Sequence, residues 1–144
     1  MGTEKSLEPL DLIDLLSERH AQIRKLTEKT WNDNNDIYIS HSEWYIMARI
    51  YNHRPTISSV TRNVEITRQA THKFIKKLET KGLAETLPVE NNRKEKSIQL
   101  TDFGVECYDK YEVMKTELER RIAETIGEYQ VSELKQLLKM EWDL

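Results

Sequence analysis

The sequence predicts a mainly α chain: a helix-turn-helix followed by a two-stranded β wing, with long helices on either side. Three observations lead there. Apolar residues recur at the three- and four-residue steps of a helical face over most of the 144 residues. Only 4 Gly and 3 Pro interrupt them. After Gly82, two short stretches switch to the alternating pattern that strands require.

From Glu8 onward, Leu12, Leu16, Ile23, Leu26 and Trp31 mark one face of a long first helix, which Asn32 to Asp36 ends because clustered Asn and Asp favour turns. Ser40-His41-Ser42-Glu43 reads as a capping box opening a second helix, with Trp44, Met47, Ala48 and Tyr51 as its inner face and Arg54-Pro55 as its stop. Ile57 to Val64 and Thr67 to Lys81 then form the helix-turn-helix. In its second helix Thr71, Phe74, Ile75 and Leu78 point inward, leaving Gln69, His72, Lys73 and Lys76 outside. Lys81-Gly82 is a helix stop. Ala84 to Val89 and Lys96 to Leu100 are the wing strands, joined by the polar run Glu90 to Glu95. Thr101 caps a long helix whose stripe is Phe103, Cys107, Tyr111, Met114, Leu118, Ile122 and Ile126, and a last helix runs from Val131 to Trp142 with Leu134, Leu137, Leu138 and Trp142 on one side. The whole reads as one unit over 1–144: a winged helix-turn-helix region at 37–104, and a helical region at 8–34 and 105–144 whose stripes pack either against a second copy or within one chain.

Charge is distributed unevenly. The total is −3, yet between Arg54 and Leu100 ten Lys and Arg face five Glu, giving +5 there and −8 elsewhere. A basic middle on an acidic frame suits a nucleic-acid surface, although lysines on solvated helix faces give the same count. The longest apolar run, Trp44 to Ala48, is far too short to cross a bilayer, and the opening residues show no signal-peptide character, so a soluble, cytoplasmic protein is expected. The single cysteine, Cys107, excludes an intramolecular disulfide.

Four short words carry a resemblance. Ile39-Ser40-His41-Ser42-Glu43-Trp44, Ile66-Thr67-Arg68-Gln69, Leu78-Glu79-Thr80-Lys81-Gly82-Leu83 and Leu100-Thr101-Asp102-Phe103-Gly104 occur in this order across residues 39 to 104. In these words the chain resembles the MarR family. The resemblance implies a homodimeric winged-helix transcriptional regulator, usually a repressor, released from its operator by a small molecule, a metal or an oxidant. The family's wing usually carries Asp-x-Arg, whereas Asn92 and Lys94 stand here with Arg93 between them. Lysine cannot reproduce arginine's planar fork, so wing contacts are expected to loosen or pass to Arg93. Glu65 stands where many such joints have glycine, so it must avoid positive φ or be strained.

On this reading Arg68, Gln69 and His72 reach base edges in the major groove, and Lys73 and Lys76 lie beside phosphates. Thr67 caps the reading helix. Thr56 and Ser58 either touch the backbone or cap their own helix, while Arg93 and Lys94 flank the site in minor grooves. Double-stranded DNA is the expected partner, as a pseudo-palindrome read by a dimer with half-sites about one turn apart.

Trp31, His41, Trp44, Tyr45 and Tyr111 either line a pocket for a small aromatic or phenolic effector or are plain core. No metal is expected: His20 and His41 can converge, but the ligand spacings are wrong and the fifth helix has no histidine. Cys107, on an apolar stripe beside Glu106 and Asp109, reads as packing rather than redox sensing. No catalytic motif appears, so no enzyme and no cofactor are expected. The alternative function is a winged helix that docks an acidic protein without reading DNA.

Overall fold

The computed structural model describes residues 6–144; the opening residues 1–5, read above for the absence of a signal peptide, lie outside the described residues. The elements are α1 (Leu12–Asn34), α2 (His41–Ile50), α3 (Ile57–Asn63), α4 (Arg68–Thr80), β1 (Ala84–Val89), β2 (Asn92–Leu100), α5 (Asp102–Ile126) and α6 (Glu128–Lys139). This is a winged helix-turn-helix with one antiparallel β1–β2 sheet.

Local chemistry sets most boundaries. Ser40 Oγ accepts from Glu43 N–H at 3.2 Å while Glu43 Oε1 accepts from Ser40 N–H at 3.1 Å, completing the capping box of α2. Thr56, Thr67 and Thr101 cap α3, α4 and α5 by accepting from Ser59, Ala70 and Gly104 N–H at 3.1, 3.1 and 3.0 Å. The first helix starts at Leu12 rather than Glu8. Asp11 caps it through Asp14 N–H, and the preceding chain turns through Glu8 and Pro9, with Leu10 N–H bonded to Leu7 O.

The core gathers around α2. Trp44 stacks face to face on Tyr111 of α5, with centroids 3.9 Å apart, and meets Trp31 of α1 edge-on at 4.8 Å. Ile46, Met47 and Ile50 of α2 are fully buried with Leu78, Leu83 and Ile98. Ala48, expected inside, is exposed, because α2 turns the face carrying Glu43, Ile46, Met47 and Ile50 inward. Phe103 is likewise exposed. Gly104 faces inward in its place, and a Cβ there would come within 2.0 Å of Leu83 O, so only glycine permits that approach.

The wing is longer than its pattern suggests. β2 begins at Asn92, not Lys96, and Glu90 and Asn91 make the turn, with Asn91 at φ 64°. Pairing runs from Ala84↔Leu100 to Pro88↔Lys96 and then jumps to Val89↔Asn92, so Arg93, Lys94 and Glu95 form a bulge. The last helix also shifts. Gly127, at φ 106°, breaks the chain after α5, so α6 starts at Glu128 and ends at Lys139, and Trp142 lies beyond it, its Nε1–H donating to Leu137 O at 2.8 Å.

One buried ion pair ties α2 to the end of α4. Glu43, 1% exposed, receives Lys81 Nζ at 2.7 Å on both oxygens, and the same ammonium donates to Tyr38 O at 2.8 Å. Removing one partner of such a pair strands a charge in a poorly solvated place. Lys81→Met is therefore expected to cost about 3 kcal/mol, the low end of the range because Lys81 retains some solvent contact, and Glu43→Gln in the same chain should recover part of it. Urea unfolding of the two variants measures both.

Candidate nucleic-acid interface

α4 is anchored on one side and open on the other. Thr71, Ile75 and Leu78 are buried, whereas Arg68, Gln69, His72, Lys73 and Lys76 are all exposed. Phe74, expected inside, is only half-buried, with Lys77 over its ring at 5.4 Å. The joint before α4 contains no residue at positive φ, so Glu65 takes the strain-free alternative. Its N–H points to Tyr45 Oη at 3.4 Å. Tyr45, an effector candidate in the sequence, thus sits behind the helix-turn-helix joint.

Two clefts flank α4. Ser58, Arg62, Arg68, His72, Lys94 and Lys96 meet in one, between α3, the start of α4 and the wing. Lys73, Lys76, Lys77 and Lys81 surround Tyr38 and Phe74 in the other. Arg62, Lys77 and Lys96 entered the charge count without being singled out; Arg62, in the last turn of α3, shares the first cleft with Arg68 and His72 of α4. Gln69 is exposed outside both clefts, and Arg93 is exposed on the bulge. Thr56 is committed to its cap, and Ser58 Oγ donates to Glu95 at 3.0 and 3.3 Å. At the wing, Asn92 Oδ1 accepts from Lys94 and Glu95 N–H at 3.1 and 3.2 Å, closing the bulge as an Asx turn.

The effector candidates separate. Trp31, Trp44 and Tyr111 are buried and packed ring on ring. His41 and Tyr111 also line a cleft between α1 and α5, with His20, Arg24, Lys115 and Leu118. His20 and His41 do converge, edge-on at 5.6 Å. Among the described residues no group of three His, Cys, Asp or Glu could hold a metal ion. Burial, then Arg24 and His20, hold His41 below the ordinary imidazole value, with Glu28 opposing. Burial pushes the Cys107 thiol up, assisted by Glu106 against Lys110, which keeps it a packing group. No helix among the described residues is long and apolar enough to cross a membrane.

No protein-family model matches the chain, and no curated protein does. Solved structures do. FabT of Streptococcus pneumoniae in complex with DNA matches at TM-score 0.76 and 18% identity, over 88% of this chain and 90% of that one. A mutant MarR from E. coli complexed with operator DNA matches at TM-score 0.76 and 18% identity, over 94% and 97%. MepR of S. aureus with DNA matches at 0.74 and 15%, over 90% and 94%. At these identities the likeness establishes the fold.

His41 generates a pH dependence. With its pKa depressed by folding, the unfolded chain binds more protons just below the ordinary 6.5, so His41's share of stability is complete above that value and falls away as pH drops through the window beneath it. Urea midpoints measured from pH 7.5 to 5.5 should therefore decline more steeply for the wild type than for His41→Asn.

Proposed function

We propose that the protein is a sequence-specific DNA-binding transcriptional regulator that inserts α4 into the major groove. One observation carries the reading: Arg68, Gln69 and His72 stand exposed at the capped N-terminal end of α4, and Arg68 and His72 share a cleft there with Arg62 of α3 and Lys94 and Lys96 of β2. Arginine and glutamine at that end suit bidentate contacts to guanine and adenine, and the helix N-terminus suits phosphate. The fold shared with FabT, MepR and MarR, each solved with DNA, supports it. Lys73 and Lys76 take phosphate positions, Arg93 and Lys94 the flanking minor grooves, and Thr67 serves as the cap.

The working form in this reading is a homodimer, with 37–104 as the DNA-binding region and 8–34 and 105–144 as the dimerisation region. What supports it is apolar surface left open. Leu12 and Ile13 of α1, Val113 of α5, and Leu134, Leu137 and Leu138 of α6 are exposed, and α6 has no buried residue. Two-fold pairing then sets the reading helices roughly 34 Å apart on a pseudo-palindromic operator, and occupancy of that operator makes the protein most simply a repressor. The α1–α5 cleft, where His20, Arg24, His41 and Lys115 border Ile23, Tyr111 and Leu118, suits an aromatic effector bearing an acidic or phenolic group. The protein acts in the cytoplasm and catalyses no reaction.

Selecting bound fragments from genomic DNA tests the reading. A recovered pseudo-palindrome supports it, and the absence of duplex affinity even at low salt overturns it in favour of a protein-docking winged helix. On the recovered site, Arg68→Ala should relax base preference at one position, whereas Lys76→Ala should weaken every sequence and lower the salt slope by about 1. Sedimentation should show a dimer that Leu134→Asp with Leu138→Asp converts to monomer with loss of operator affinity; a monomeric wild type would contradict the dimer.

A further inference from the structure

The outer half of β2 is poorly held by its own sheet. At its root, Ile98 N–H bonds Pro55 O at 2.9 Å, and Ser97 bridges Thr56. Pairing then reaches Pro88↔Lys96, where proline has no N–H to give the ladder, and the register breaks one residue later. Arg93 and Lys94 therefore sit on a bulge that Asn92 closes within the wing. The bulge also makes a long-range contact: the single O–H of Ser58, 37 residues away in α3, is shared between the two carboxylate oxygens of Glu95.

Glu95 is electrostatically out of place. Among the described residues it is the one carboxylate in a cleft lined by Arg62, Arg68, His72, Lys94 and Lys96. On a face turned to phosphates a negative charge opposes binding, so its value must lie in what it organises. We propose that Glu95 is a positioning residue of the DNA face: held by Ser58, it fixes the bulge that carries Arg93 and Lys94 against α3 and so sets where the wing meets the duplex. Its consequence for DNA rests on the regulator reading, but the tether itself does not.

Three variants of the full chain separate position from charge. Glu95→Gln keeps an acceptor oxygen for Ser58 and removes the charge, while Glu95→Ala and Ser58→Ala each remove the tether. In the DNA-free protein, amide exchange at Arg93 to Lys96 should rise several-fold in Glu95→Ala and Ser58→Ala and stay near wild type in Glu95→Gln. On the selected operator, hydroxyl-radical protection of the flanking minor grooves should fade in the two alanine variants while protection around the reading helix persists. Glu95→Gln should keep the flanking protection and bind random duplex several-fold more tightly at low salt. If Glu95→Ala and Glu95→Gln behave alike in exchange and footprint, Glu95 acts by charge alone and the proposal is wrong. Wild-type protein that binds no duplex overturns the regulator reading, and the exchange measurement then still decides the tether.

Discussion

A single carboxylate organises the middle of this molecule. Glu43 lies where water is nearly excluded, so its charge must be met by the protein, and it is met from two directions. Ser40 N–H from its own helix start and Lys81 Nζ from the end of α4 converge on it. The first contact makes α2 begin where it does, and the second fixes the far end of α4. With Thr67 capping the near end, α4 is held at both termini, and its outward side chains inherit a defined direction from them. Tyr38 completes the arrangement, offering its carbonyl and its ring to the same ammonium.

What was legible in the sequence was whatever depends on near neighbours. Ser40, Thr56, Thr67 and Thr101 announce helix starts because each hydroxyl bonds a backbone N–H three residues on, and that spacing is written in the chain. The outward stripe of α4 was legible for the same reason. Exchanging Ala48 for Ile46 and Ile50, or Phe103 for Gly104, requires knowing which neighbour each helix meets, and period alone leaves that open. The hairpin is legible but the start of its second strand is not, because its outer residues are polar on both faces and so carry no alternation. Glu43 with Lys81, 38 residues apart, and Ser58 with Glu95, 37 apart, have no local signature at all. Trp31 and Trp44 illustrate the opposite ambiguity: an aromatic at helical spacing reads equally as pocket wall and as core, and here the rings fill each other's space.

The charge asymmetry gains meaning from pairing. The described ion pairs engage Arg24, Lys29, Lys110, Lys115, Arg120 and Lys135 in the acidic ends, mostly one helical turn from their partners. Of the ten basic residues between Arg54 and Leu100, only Lys81 appears among these pairs. Exposed pairs of this kind contribute little stability, yet they neutralise the frame locally and leave the middle as the net positive surface. A formal charge of −3 therefore describes the chain and misdescribes the face around α4.

The tight approach of Gly104 to Leu83 also has a mechanical meaning. Thr101 donates its hydroxyl to Gly82 O and its N–H to Leu83 O, so the turn that ends α4 and the residue that caps α5 share one short stretch of backbone. α5 then extends 25 residues, about 37 Å at 1.5 Å per residue. Cys107, Tyr108 and Tyr111 root its first turns in the core, so it is a strut, and one unbroken helix couples the root of the wing to Ile126.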